Sequence, residues 1–312
     1  MKAIQIHEFG DTNNLKLEDV PTPSLQAGEV LIKNQACGVN PIDWKTCSGG
    51  GAAPFIGDLP FIPGWEFAGV VEQVAADIRH LKAGDPVFGM IRFPDRAGCY
   101  AEYIAAPAAQ ICKRPPSLDS VTAGGLATAS LTAWQALFDK GNLQSGQRVL
   151  ILGAAGGVGH LAVQLAKWAG ADVYGTASGR NHSFLRSLGA SKLFDYQSTK
   201  LTDAVNNIDL IIDAVGGDTG IEALSCLKPG GTMVTLPSVT KDAVIAAGEA
   251  RNLSVLPIRA EASAQQLAEI ARLYDQGDLR ICLAKSYPLD QAAEAFRLSA
   301  EGHVRGKLVL TL

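Results

Sequence analysis

A glycine-rich segment near the middle of the chain places the strongest constraint on its fold. The sequence Val149-Leu-Ile-Leu-Gly-Ala-Ala-Gly-Gly-Val-Gly-His160 joins a short apolar run to four closely spaced glycines. This pattern is typical of a strand that turns tightly into a helix, where glycine lets the backbone approach a pyrophosphate. The free N–H groups and the positive dipole end of the helix favour the phosphate charge. The segment therefore predicts a dinucleotide site, with Ala154 at the first position of a G-x-G-x-x-G fingerprint. The alternative is a glycine turn required only for close packing of strand and helix.

The elements around this segment predict the fold class. From residue 119 to about 260, short apolar strands alternate with helical patterns, which indicates a parallel sheet covered by helices on both faces. The first hundred or so residues instead contain short alternating runs separated by Pro and Gly, typical of a β-barrel or sandwich. We expect an α/β protein in which a β-barrel domain (residues 1–120) joins a doubly wound parallel-sheet domain (121–260). Residues 261–312 are expected to return to the first domain.

Three local features carry more specific expectations. Asp119 is a candidate N-cap for a helix that continues through Phe138. Residues 99–105 read as a strand because apolar and polar positions alternate there. Residues 46–63 are rich in Gly and Pro and predict a long loop with little regular structure.

Composition excludes several classes of protein. The 312 residues include 27 Lys and Arg against 31 Asp and Glu, and no basic block stands out, so a nucleic-acid partner is not indicated. Six cysteines without C-x-x-C or C-x-H spacing are typical of reduced thiols in a cytosolic protein. The most apolar run, residues 149–171, is interrupted by glycines and polar residues, which argues against a membrane span. We expect a cytoplasmic protein with no membrane partner.

The segment that follows the second strand of the parallel sheet predicts the type of cofactor. An NAD site would place Asp or Glu about twenty residues past the glycines to hold the ribose 2′-hydroxyl, and none is present there. Ser178, Arg180 and Asn181 cluster at this point instead. Because a guanidinium matches phosphate in charge and geometry, this cluster favours the 2′-phosphate of NADPH. The alternative is a solvated Arg180 at a helix start.

Several further motifs resemble one known family. They are Gly38-Val-Asn-Pro-Ile-Asp-Trp-Lys45, Pro63-Gly-Trp-Glu-Phe-Ala-Gly69, Leu131-Thr-Ala-Trp134 and Gly302-His-Val-Arg-Gly-Lys307. Together with the glycine fingerprint they make the chain similar to the medium-chain dehydrogenase/reductases, in particular their zinc-free quinone oxidoreductase branch of zeta-crystallin and alkenal reductase relatives. The resemblance implies a GroES-like barrel domain and a Rossmann domain, an active site in the cleft between them, and a homodimer.

The resemblance also implies that the chain holds no zinc. Where the alcohol dehydrogenase relatives carry a Cys and a His ligand, this sequence has Asn40 and Trp65, and the four-cysteine structural lobe is absent. An amide and an indole cannot assemble the three-ligand site that a catalytic zinc needs.

Position by position, the resemblance implies a set of site residues. Asn40 and Lys45 would line the catalytic cleft, with no certain acid or base, and Arg305 or Lys307 would close it. The implied cofactor contacts are Lys45, Thr132, Gly156, Gly157, Val158, Ser178, Arg180, Asn181, Tyr196, Val215, Leu236, Ser238 and Arg305. Core or solvated positions remain the alternatives for Tyr196 and Lys307.

Three functions are consistent with these features. An NADPH:quinone reductase is favoured, because without zinc the substrate itself must delocalise the charge of an arriving hydride. An alkenal or enone double-bond reductase differs from it only in the shape of the cleft. A non-catalytic NADPH-binding protein is the third. The sequence does not identify the physiological substrate or the proton donor.

Overall fold

The computed structural model describes residues 1–312, which divide into two compact units. The first unit comprises Met1–Leu131, Glu261–Gly277 and Ile281–Leu312, and the second comprises Thr132–Ala260 and Asp278–Arg280. No helix combines the length and the apolar character that crossing a membrane requires.

The N-terminal part of the chain is mostly β-structure. Its strands are β1 (Lys2–Gln5), β2 (Lys16–Asp19), β3 (Glu29–Val39), β4 (Glu66–Val74), β5 (Pro86–Met90), β6 (Tyr103–Pro107) and β7 (Ile111–Lys113). Its helices are α1 (Pro41–Cys47), α2 (Ala53–Ile56), α3 (Ser120–Gly124) and α4 (Ala127–Trp134), and a π-helical segment (Gln135–Lys140) follows α4.

The middle of the chain alternates between strands and helices. The strands are β8 (Arg148–Leu152), β9 (Asp172–Thr176), β10 (Lys192–Phe194), β11 (Ile208–Asp213), β12 (Leu227–Thr235) and β13 (Ser254–Pro257). The helices are α5 (Gly159–Trp168), α6 (His182–Ser187), α7 (Leu201–Ala204), α8 (Gly217–Ala223) and α9 (Lys241–Glu249). The chain ends with α10 (Ala264–Gln276), β14 (Leu283–Pro288), α11 (Ala292–Ala300) and β15 (Lys307–Thr311).

A seven-stranded sheet organises the first unit. Its strand order is β14-β15-β3-β4-β5-β7, and β6 also pairs with β3. The last strand, β15, runs antiparallel to β3 with Leu308 opposite Val39, so the C-terminal segment lies in the sheet of the first unit. This pairing brings Lys307 next to the end of β3, where α1 begins.

The division between the units falls after Leu131, whereas the sequence analysis expected it near residue 120. Helix α3 packs on β3, β4 and β15, so it belongs with the first unit. A Cβ atom on Gly124 would lie 2.7 Å from the Cβ of Ala36 in β3, so only glycine permits this close contact.

The structure agrees with some of the local expectations from the sequence and differs from others. The side chain of Asp119 accepts a hydrogen bond from the N–H of Thr122, as expected of an N-cap. The single helix expected through Phe138 is wrong, because α3 ends at the Gly124–Gly125 pair and a new helix follows. The strand expected at 99–105 begins later, at Tyr103. The predicted long loop holds one short helix, α2.

A six-stranded parallel sheet organises the second unit. Its order is β10-β9-β8-β11-β12-β13, the doubly wound arrangement in which the chain leaves β8 to one side and then returns to the other. Buried side chains on these strands form a continuous core with α8 and α9, among them Leu150, Ile211, Met233 and Val244. In such a sheet, ligands bind beyond the carboxyl ends of the strands where the order reverses, which here is between β8 and β11.

Candidate cofactor site and a buried charge cluster

The glycine turn after β8 forms a close contact that only glycine allows. A Cβ atom on Gly159 would lie 2.3 Å from the carbonyl oxygen of Gly153 and 2.8 Å from Cα of Ala154. Gly153 adopts a positive φ of 66°. Helix α5 therefore begins directly against the end of β8, with its N-terminus at the reversal point of the sheet. Of the turn residues, Gly156, Gly157 and Val158 are partly exposed while Ala154, Ala155 and Gly159 are buried, so the predicted pyrophosphate contacts are the accessible ones.

A buried carboxylate fixes the neighbouring loop after β11. Asp213 is fully buried, and its Oδ1 accepts hydrogen bonds from the N–H groups of Val215 at 3.0 Å and Gly216 at 2.7 Å. Its Oδ2 accepts the hydroxyl of Thr235 in β12 at 2.9 Å. Val215 itself remains 47% exposed. Asp213 thus holds Val215 at the carboxyl edge of the sheet, where the sequence analysis placed a cofactor contact.

The predicted 2′-phosphate residues lie together in the loop after β9. The side-chain amide of Asn181 donates to Oγ of Ser178 at 3.2 Å. Arg180 is exposed and its guanidinium forms no ion pair. An unpaired guanidinium beside a hydroxyl is chemically suited to bind an anion.

Sequence reasoning missed an acidic residue at this loop. Asp195 follows β10, and its Oδ2 accepts a hydrogen bond from the N–H of Gly179 at 2.9 Å. Strands β9 and β10 are parallel with Phe194 opposite Thr176, so the residues that follow each strand leave the sheet side by side. Only the inter-strand register shows this proximity. Asp195 lies 16 positions beyond Gly179 in the sequence and reaches it only because β10 pairs with β9.

The other predicted cofactor residues occupy varied surroundings. Tyr196 is 53% exposed and Ser238 is exposed, whereas Leu236 is half-buried beyond the end of β12. Thr132 lies on α4 and is half-buried, and Arg305 is exposed in the turn before β15. Their contacts with a cofactor stay predictions.

The first unit contains a buried charge cluster built around Glu66. Its Oε1 accepts the side-chain amide of Asn40 at 2.7 Å and the ammonium of Lys307 at 3.0 Å. Its Oε2 accepts the N–H of Thr128, in the first turn of α4, at 2.7 Å. The Lys307 ammonium also donates to Oδ1 of Asn40 and to the carbonyl oxygen of Val39.

Two expectations change because of this cluster. Lys307 is only 3% exposed and its ammonium is shared among three acceptors, so the solvated alternative is wrong and its charge is not available to close a cofactor site. Asn40 is 6% exposed, and both polar atoms of its amide bond to Glu66 and Lys307. Its place in the catalytic site stays a prediction; the amide joins the residue before α1 to Glu66 and Lys307.

Beside this cluster lies a second buried carboxyl group. The Oδ2 of Asp43 accepts the N–H of Asn40 at 2.7 Å and the phenol of Tyr100 at 2.8 Å, while its Oδ1 is buried without a partner. Burial raises the pKa of Asp43 to about 7. The Lys307 charge opposes this rise and the Glu66 charge adds to it.

The remaining residues of interest in the first unit are Lys45 and Trp65. Lys45 is half-buried on α1 with its ammonium 5.4 Å from the centroid of the Trp44 ring, and desolvation lowers its pKa below the ordinary value. The indole N–H of Trp65 donates to the carbonyl oxygen of Asp95 at 2.7 Å. No group of three or more His, Cys, Asp or Glu side chains is arranged to hold a metal ion.

Comparisons with known proteins cover both units. A family described as "Alcohol dehydrogenase GroES-like domain" matches residues 26–116, and one described as "Zinc-binding dehydrogenase" matches residues 188–310. The chain is 32% identical over 320 residues to the 2-methylene-furan-3-one reductase of Solanum lycopersicum, covering 99% of this chain and 79% of that protein. It is 31% identical over 354 residues to the Homo sapiens protein "NAD(P)H oxidoreductase RTN4IP1, mitochondrial", covering 100% of this chain and 89% of that one.

A solved structure agrees with the whole fold. The quinone oxidoreductase of Coxiella burnetii is 40% identical and superimposes with a TM-score of 0.96, covering 100% of this chain and 99% of that one. Together with the GroES-like match, this confirms the predicted fold class. The expected homodimer and cytoplasmic location stay predictions.

We expect Asp43 to make stability depend on pH. Its folded-state pKa of about 7 lies above the value near 3.8 of the unfolded chain, so its contribution is fully present below pH 4 and is lost as the pH rises to 7. Between pH 5 and pH 8 the free energy of unfolding should fall by about 3 kcal/mol relative to Asp43→Asn, which cannot ionise. Urea unfolding of both proteins across this range is the measurement, and parallel pH profiles would contradict the prediction.

Proposed function

The chain belongs to the medium-chain dehydrogenase/reductase family, as a member of its quinone oxidoreductase branch, and from that premise we propose that it reduces quinones with NADPH. The predicted family is confirmed by the matches that cover both units. The chain is therefore an oxidoreductase that uses a nicotinamide cofactor, which disfavours the reading as a non-catalytic binding protein. The choice of NADPH and of quinone is the proposal.

The second unit fits a dinucleotide. A side chain at Gly159 would fill the space between β8 and the start of α5, and the partly exposed backbone of Gly156, Gly157 and Val158 lies where a pyrophosphate would meet the helix N-terminus. Val215, which Asp213 holds at the same edge of the sheet, would flank the cofactor. These residues would bind and orient it.

The observation that carries the choice of NADPH is the exposed, unpaired Arg180 beside Ser178 and Asn181. A guanidinium and a hydroxyl can bind a 2′-phosphate by charge-assisted hydrogen bonds, which NADH cannot form because it lacks that phosphate.

A reduced nicotinamide supplies a hydride, and the protein supplies orientation and exclusion of water. Asn40 and Lys307 offer little acid–base help, because the amide of Asn40 and the ammonium of Lys307 are already held by Glu66. An acceptor that spreads the incoming negative charge over its own conjugated system leaves a lower barrier for the protein. A quinone does so.

An alkenal or enone reductase is the second candidate. It is favoured by the similarity to the tomato protein named 2-methylene-furan-3-one reductase. The two candidates share the cofactor and the need for a conjugated acceptor, so an acceptor screen separates them.

We predict that NADPH binds more tightly than NADH and that Arg180→Asp narrows or inverts this preference. The new carboxylate would repel the 2′-phosphate and accept the ribose hydroxyl, lowering NADPH affinity about tenfold or more. Fluorescence or calorimetric titration of both cofactors measures the effect. Arg186→Asp is the matched control, since Arg186 is also exposed but lies farther along α6. Equal binding of both cofactors by the unaltered protein would contradict the assignment of this loop.

We predict that a chelator leaves both activity and melting temperature unchanged. Asn40 and Trp65 stand where zinc-dependent relatives carry ligands, and their polar side-chain atoms are bonded to Glu66, Lys307 and a backbone carbonyl. The test is dialysis followed by elemental analysis and thermal melting. Stoichiometric zinc that is lost together with activity would refute it.

We predict NADPH consumption with a small quinone such as 1,4-benzoquinone, weaker or comparable turnover with alkenals, and negligible oxidation of ethanol. The reason is that a simple alkoxide would need stabilisation by a charged group, whereas a conjugated acceptor delocalises the charge itself. Initial rates are compared with enzyme-free reactions for each acceptor. Strong oxidation of primary alcohols without any quinone turnover would rule out the proposed function.

A further inference from the structure

We propose that Asp195 is a specificity-determining residue that limits how strongly the site selects NADPH over NADH. This inference rests on the proposed function, because it concerns the adenosine end of the same cofactor site. Asp195 places a fixed negative charge at the loop that carries the candidate 2′-phosphate residues.

The sheet register brings Asp195 to this loop. Strand β10 pairs with β9 in parallel, with Lys192 opposite Tyr174 and Phe194 opposite Thr176. The N–H of Ala177 then bonds to the carbonyl oxygen of Phe194 at 3.1 Å, which continues the pairing past the end of both strands. Asp195 and Ser178 therefore leave the same edge of the sheet, each within two residues of the end of its own strand.

Two backbone hydrogen bonds fix the direction of the carboxylate. Oδ2 accepts the N–H of Gly179 at 2.9 Å and Oδ1 accepts the N–H of Gln197 at 3.0 Å. A Cβ atom on Gly179 would lie 2.9 Å from Oδ2, so the carboxylate lies against the backbone between Ser178 and Arg180. The charge cannot swing away from the loop without breaking both bonds.

The charge of Asp195 is opposite in sign to that of Arg180, but the two side chains form no ion pair. Arg180 forms no ion pair, so both charges act on a ligand separately. A 2′-phosphate bound by Ser178 and Arg180 would be attracted by the guanidinium and repelled by the carboxylate. A ribose 2′-hydroxyl carries no net charge for either group to attract or repel, and both carboxylate oxygens of Asp195 already accept backbone N–H groups. Near an exposed surface, where the effective dielectric lies between that of a protein and that of water, one unit charge several ångströms from a bound anion changes affinity on the order of threefold to tenfold.

The test uses adenosine fragments, so that it does not depend on turnover. The affinities of 2′,5′-ADP and of ADP are measured by calorimetry for the unaltered protein and for Asp195→Asn. Loss of a loop hydrogen bond in the variant would weaken both ligands, and the ratio of the two affinities cancels that effect. We expect the preference for 2′,5′-ADP over ADP to rise about threefold to tenfold, and the gain to shrink at high salt because salt screens exposed charges.

Asp172→Asn is the matched control. Asp172 lies at the opposite, amino end of β9, where its Oδ1 accepts the hydroxyl of Ser191, so the variant removes the same charge from the far edge of the sheet. Its preference ratio should equal that of the unaltered protein.

Two results would overturn the inference. An unchanged or reduced ratio in Asp195→Asn would show that the residue only anchors the loop. A ratio that rises solely because ADP binds more weakly would show that Asp195 binds the 2′-hydroxyl. If the unaltered protein binds neither fragment, the proposed cofactor site itself is refuted. That outcome differs from the two above, in which the unaltered protein does bind the fragments.

Discussion

The buried carboxylate of Glu66 is the interaction on which the first unit most depends. It bonds to Asn40 before α1, to the N–H of Thr128 in α4 and to Lys307 at the start of β15, so one side chain joins segments 241 positions apart in sequence. A buried charge is unfavourable unless it is paired and hydrogen-bonded, and removing a single partner is costly. Gly38 shows how tightly this group is packed, since a Cβ atom there would lie 1.9 Å from Oε1 of Glu66.

The parallel sheet of the second unit has a buried carboxylate of its own with a similar role. Asp213 joins the loop after β11 to Thr235 in β12, and its Oδ2 would lie 2.7 Å from a Cβ atom on Gly220 in α8. The glycine turn after β8 completes this edge through contacts of backbone with backbone. The candidate cofactor site is thus formed by the ends of strands whose positions the sheet determines, and by polar groups that hold the loops between them.

A structural feature could be predicted from the sequence when its signal lies within one short segment. The N-cap at Asp119 and the alternation of strands with helices in the second unit could be predicted, because each signal lies within its own segment. The glycine turn was found for the same reason. The pairing of Lys307 with Glu66, and of Asp195 with the loop after β9, depends on which strands become neighbours and in what register. No short window of sequence contains that information, and the break in the helix after Gly124 likewise reflects a contact with distant Ala36.

The same buried contacts limit which side chains of the first unit could supply the proton that a reduction consumes. Asp43 has a pKa near neutrality, but it is fully buried and its one bonded oxygen faces the N–H of Asn40 and the phenol of Tyr100. Asn40 has no proton to give, because an amide does not titrate in this range. The proposed reduction of a quinone would thus draw its proton from a group other than these two side chains. The anion of a reduced quinone is stable until it is protonated because its charge is delocalised, whereas an alkoxide concentrates its charge on one oxygen. The packing that buries Asn40 and Asp43 in the first unit is thus consistent with the conjugated acceptors that we propose.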